Sequence, residues 1–148
     1  MESGREQIAK WWGEAWEAGL WAASWKASLD GLSAQEAAWS PAPGRHSIWQ
    51  LVAHMIFWRE SWLRRAKGAA RPTKEEIDRG NFPAPAEPTE PAWLALRGKF
   101  EESQTAVADV LKGTDSASEP MIYFLPHDCY HFGQINYVRA MLGKPPIE

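Results

Sequence analysis

From position 127 to 135 the chain reads His-Asp-Cys-Tyr-His-Phe-Gly-Gln-Ile. In a helix, the four-residue spacing of His127 and His131 puts both imidazoles on one face, roughly 6 Å apart at Cβ. Two such rings can grip one metal ion. Another histidine, His54, lies far upstream in a second strongly helical stretch. Three imidazoles from two packed helices would suit zinc, nickel, iron or copper and would leave coordination positions open, the pattern of a catalytic rather than a structural site. An ion held there would pull the pKa of a bound water towards ~7, or equally stabilise a bound thiolate. The pair alone is weak evidence, because buried histidines often do no more than satisfy backbone groups.

Four helical segments separated by Pro- and Gly-rich breaks must position these rings. The first is expected over about Ser3 to Leu29. It has one apolar stripe (Ile8, Trp12, Ala15, Gly19, Ala22) and a second, offset one (Trp21, Trp25, Leu29), which predicts burial on two sides, one of them facing a partner subunit in a homodimer. Ser33 and Glu36 have capping-box spacing, and 39–44 reads as a Pro-containing loop. The second long helix is capped by Ser47 with Gln50 and should run to about Lys67, with Gly68 as its stop. Counting 100° per residue from His54, its companions are Ser47, Gln50, Leu51, Trp58, Ser61 and Trp62, so His54 points inward. Residues 68–91 carry five prolines and form a long connection with one helical turn near Thr73–Ile77, placed to cross between helices or to cover a site as a lid. The third helix runs from near Pro91 to Gly113, with Leu96, Phe100, Val107 and Val110 as its stripe.

The fourth runs from near Pro126 to Leu142. Proline disfavours helix in the residue before it, so the helix either starts or kinks at Pro126, next to His127. Its ligand face holds His127, Tyr130, His131, Gln134, Val138 and Met141. Cys129 falls about 200° away, a poor position for a ligand, and Asp128 about 100° away, a position for a salt bridge or a solvated charge. His46 precedes the Ser47 cap and reads as a surface or loop residue. Gln50, Tyr130 and Gln134 are placed to fix the imidazole tautomers through the second ring nitrogen. Trp58 and Ser61 are placed to line a substrate pocket. No segment alternates as a strand does, so the fold class is all-α, a four-helix bundle over one domain, 1–148.

Composition narrows the rest. A net charge of −3 and no basic stripe argue against a nucleic-acid partner. No apolar run approaches the ~20 residues of a membrane helix, and Glu2, Arg5, Glu6 and Lys10 do not suit a signal peptide. The single cysteine fits a reducing cytoplasm. Ten tryptophans are many for 148 residues; they predict bulky core filling, with Trp58 singled out as a pocket wall.

The stretches Ser47-Ile-Trp-Gln-Leu-Val-Ala-His54 and His127-Asp-Cys-Tyr-His131-Phe-Gly-Gln-Ile135, the latter followed by Arg139 and Gly143, resemble the DinB/YfiT-like superfamily of bacterial metalloproteins. That family has one histidine a turn or two into the second helix and H-x-x-x-H-x-G-Q near the C-terminus. The resemblance implies an up-down-down-up four-helix bundle with the Pro-rich segment as its crossover between the second and third helices. It also implies His54, His127 and His131 as ligands of a divalent metal (zinc, nickel or iron), and in several members a dimer. The activities it implies are transfer or isomerisation dependent on a low-molecular-weight thiol such as mycothiol or bacillithiol, or hydrolysis. Absence of a Glu or Asp on the two ligand faces favours thiol S-transfer to a small electrophile over base-assisted hydrolysis. A stress protein that binds metal or a small ligand without catalysis is the alternative.

Overall fold

A computed structural model describes residues 4–113 and 116–147. Among them every regular element is helical: α1 (Gly4–Glu17), α2 (Trp25–Leu29), α3 (Ala34–Ala38), α4 (Ile48–Ala66), α5 (Lys74–Gly80), α6 (Glu90–Lys112), a 3-10 stretch (Ser116–Tyr123) and α7 (Phe124–Met141). The four longest, α1, α4, α6 and α7, pack in pairs: α4 on α6, α1 on α6, α4 on α7 and α1 on α7. No helix is long and apolar enough to cross a membrane among the described residues.

Local chemistry explains most of the boundaries. Ser33, Ser47 and Thr73 each cap a helix and each closes a capping box with the Glu or Gln three residues on. Thr89 caps α6, where Pro91 occupies the first turn and costs no hydrogen bond. α4 ends on Arg64 and Arg65, whose charges complement the carbonyl end of the helix.

The first expected helix breaks in two. α1 stops at Glu17, and the chain turns through Gly19 (φ +72°) and Trp21 (φ +60°) before α2 begins at Trp25. At Gly19 a Cβ would run into the Ala22 carbonyl, so the turn needs glycine on both conformational and steric grounds. Trp21 is fully exposed while Trp25 and Leu29 are buried. The offset apolar stripe that suggested a partner subunit is therefore not one face of one helix. Trp12, Trp25, Trp49 and Trp93 fill the core as expected, while Trp11, Trp21 and Trp39 are exposed.

α7 starts at Phe124, two residues before the expected start, and continues through Pro126. Pro126 is the third residue of α7. Amides in the first turn have no acceptor within the helix, so its missing N–H breaks nothing and His127 keeps its place. Trp25 anchors α7 by stacking on Phe132, with centroids 5.1 Å apart and rings 5° from parallel. At the far end Arg139 donates to the carbonyls of Ser28 (3.1 Å) and Asp30 (2.7 Å).

Candidate metal centre

His54 comes from the middle of α4, His127 and His131 from the first half of α7. Their Nε2 atoms meet. His127 Nε2 lies 3.2 Å from His54 Nε2 and 3.2 Å from His131 Nε2. His54 and His131 are buried and His127 half-buried. Two nitrogens bound to one ion at about 2.0–2.1 Å with an angle of about 100° between them would stand this far apart.

The opposite side of each ring explains why the Nε2 atoms point inward. All three Nδ1 atoms face an oxygen: His54 meets Asn81 Oδ1 at 2.8 Å and the Asn81 carbonyl at 3.2 Å, His127 meets Asp128 Oδ1 at 2.7 Å, and His131 meets Gln134 Oε1 at 2.7 Å. A carboxylate or carbonyl oxygen can only accept, so each Nδ1 carries a proton, and in the neutral ring Nε2 then presents a lone pair. Burial holds the His54 pKa down to about 4, against the hydrogen bond it donates to Asn81, and pulls His131 down as well. Both are neutral at pH 7. A proton could be shared by two of these lone pairs at a time, whereas one cation satisfies all three. The donor set thus fits a divalent transition ion, and these residues form a cluster that could hold one.

Behind His127 the support runs into the core. Asp128 is fully buried and binds Arg59, also fully buried, through Nε (2.9 Å). Arg59 Nη2 is 2.7 Å from the same Oδ2, an ion pair in distance but not aligned as a hydrogen bond, and it has no other partner. Nη1 donates to Ser103 Oγ at 3.0 Å. The guanidinium lies over Phe100 (4.0 Å to the ring centroid) and Trp12 (4.7 Å). Burial lowers the Arg59 pKa and the Asp128 charge opposes that shift. The salt-bridge reading of Asp128 matches the geometry, but the same carboxylate also orients a candidate ligand, which its angle on the helix did not reveal.

The support for His54 comes from the Pro-rich connection. Gly80, closing α5, packs so tightly on α4 that a Cβ would run into the Phe57 ring. The next two residues reach the site. Asn81 Oδ1 accepts from Trp58 Nε1 (2.8 Å) as well as from His54. Phe82 stacks on His54 (centroids 4.1 Å apart, 4° from parallel), with the exposed His46 on its other side (3.8 Å, 2°). Gln50, expected to fix an imidazole, instead closes the Ser47 capping box and donates to the Phe82 carbonyl at 3.0 Å. Tyr130 is exposed and touches His131 only through its ring, 5.2 Å between centroids, so its hydroxyl orients no histidine. Ser61 is buried in α4 and is not among the described residues that line the cleft beside His127. Cys129 lies off the cluster, its thiol pKa raised by burial and by Asp128.

Sequence reasoning passed over Arg59, Asn81 and Phe82. For Arg59 a signal existed: Val52, Met55 and Arg59 follow helical spacing along a core face, so a charge there demanded a buried partner. Asn81 and Phe82 follow a capping box (Thr73 with Glu76) that announces α5, but nothing local says where its end projects.

Compared with known proteins, the chain matches the family model of the DinB superfamily over residues 19–140. The chain belongs to the DinB superfamily. No curated protein and no solved structure matches it. The matched stretch of this DinB-superfamily chain contains His54, His127 and His131 together with their partners Asn81, Asp128 and Gln134.

Proposed function

We propose that this DinB-superfamily protein holds one divalent transition metal on His54, His127 and His131, and that the site is a catalytic one that activates a low-molecular-weight thiol, or water, against a small electrophile. The carrying observation is the convergence of three Nε2 atoms whose Nδ1 protons are all taken up by oxygens. The proposal extends to the arrangement: α1, α4, α6 and α7 as an up-down-down-up bundle, with 68–91 as the crossover between α4 and α6.

Bound there, a zinc, nickel or iron ion would supply a positive charge that lowers the pKa of a thiol or water placed on it. The chain's own residues do the rest. Asn81, Asp128 and Gln134 hold the ring protons away from the centre and raise the basicity of the opposite nitrogens. Phe82 closes one face of His54. Asp128 is the carboxylate in contact with the ligand set, and it is occupied by Arg59 and by His127 Nδ1. It is therefore not free to take a proton from water, which favours thiol transfer over base-assisted hydrolysis.

Elemental analysis of tag-free protein beside His54→Ala and His131→Ala tests the metal. About one ion per chain, lost in both variants, is the expected result; no ion after reconstitution with zinc, nickel and iron would end this reading. A screen of electrophiles with thiols on the loaded protein then tests catalysis. Tight ligand binding without turnover would favour a non-catalytic binding protein.

A further inference from the structure

Several concavities flank the bundle among the described residues. Two grooves of 600 and 880 Å³ lie along α7 and include none of the three converging histidines. A third, 240 Å³, does: it is lined by Trp58, Trp62, Pro120, Tyr123, Phe124 and His127. Among the described residues the lining contains four aromatic side chains, one proline and one candidate metal ligand, and no lysine, arginine, aspartate or glutamate.

The polar capacity of this cleft is small and partly spent. Trp58 Nε1 already donates to Asn81 Oδ1, so Trp58 offers only ring surface. Trp62 is propped from outside by Arg65, whose guanidinium carbon sits 3.8 Å from the ring centroid without lining the cleft. A charged ligand entering would lose its hydration against described side chains that offer no counter-charge short of the proposed ion at His127, a cost that an apolar ligand avoids. The volume sets the size. An apolar cavity on the order of 150 Å³ takes benzene, and drug-sized ligands need roughly 300 Å³ or more. The cleft fits one ring with a short arm.

Resting on the metal reading above, we propose that the Trp58–Trp62–Tyr123–Phe124 cleft binds a small uncharged aromatic molecule, ring against the tryptophans, with a single thiol, hydroxyl or carbonyl donor directed at His127 and the ion it shares. The described lining offers no partners for the two charges of a zwitterion, so the uncharged aromatic molecule is the one this cleft selects.

Calorimetry on the full chain, zinc-loaded and zinc-free, with benzyl mercaptan, ethylbenzene and zwitterionic cysteine tests this, with bound zinc measured in each sample. Expected are ethylbenzene binding that is indifferent to zinc, benzyl mercaptan binding that is at least tenfold tighter with zinc, and weaker cysteine binding. Trp62→Ala and the surface variant Tyr123→Ala, both retaining zinc, should each weaken benzyl mercaptan, Trp62→Ala by about tenfold, the loss expected for one aromatic contact, and leave cysteine unchanged. Cysteine binding as tightly as benzyl mercaptan, or neither variant changing the thiol preference, would overturn the cleft while leaving the metal site intact. Zinc absent from the wild type with ethylbenzene still bound would overturn the donor end of the proposal together with the metal reading, and not the apolar cleft.

Discussion

His127 and His54 face each other across 3.2 Å, yet they are held by opposite kinds of structure. Behind His127 stands Asp128–Arg59, an ion pair with no exposed surface, covered by Trp12 and Phe100. Behind His54 stands Asn81, one residue past a seven-residue helix whose side chains are all at least partly exposed. One candidate ligand is thereby tied to a buried ion pair of the core, and the other to a partly exposed connection. The candidate site thus has one wall buried in the core and one at the surface.

The comparison breaks hardest at Asp128. Asp128→Ala strands a buried guanidinium, and removing one partner of such a pair costs about 3–5 kcal/mol; urea denaturation should show that loss, and a change under ~1 kcal/mol would mean Arg59 finds other partners. Replacing both, as in Arg59→Met with Asp128→Leu, should recover most of the stability while weakening the metal site, since no uncompensated charge remains.

Acid comes next. His54 titrates near 6.5 in the unfolded chain and at about 4 in the fold. Between those values the unfolded chain binds a proton that the folded chain refuses, so stability falls as pH falls through that window, by about 3 kcal/mol for metal-free protein at the lower end. His54→Leu should flatten the slope of unfolding free energy against pH; an unchanged slope would assign the dependence elsewhere.

At the partly exposed wall, Asn81→Ala should weaken metal binding about 10–100-fold and cost about 1 kcal/mol of stability, the value of a lost hydrogen bond. Competition with a chromophoric chelator reads the first and denaturation the second. A large stability loss with unchanged affinity would reverse the assignment of roles. The smallest effect belongs to Lys74, whose exposed pair with Asp78 decorates α5. Lys74→Ala should change stability by no more than ~0.5 kcal/mol and leave metal affinity alone.

The sequence showed which faces carry the histidines because helical periodicity is local: once α4 and α7 were recognised, the inward direction of His54 and the shared face of His127 and His131 followed from counting. The breaks were less visible. Trp21, Trp25 and Leu29 keep helical spacing through a turn that two positive-φ residues impose, and periodicity does not register a backbone reversal. The supports were least visible, since Asn81 and Arg59 acquire their roles only through packing against elements 27 and 69 residues away in the chain. Gln134, three residues from His131 on one helix, is the support that local spacing could indicate.

The separation between Arg59 and Asp128 also has a bearing on how the molecule is made. At a synthesis rate of roughly 5–20 residues per second, the guanidinium leaves the ribosome several seconds before the carboxylate that will neutralise it. Sealing the interior between α4 and α6 during that interval would trap a bare cation, a burial that the carboxylate of α7 makes tolerable. α7, which follows α4 and α6 in chain order, carries the carboxylate and two of the three imidazoles, so the group that neutralises Arg59 and the groups that complete the histidine cluster arrive on one helix.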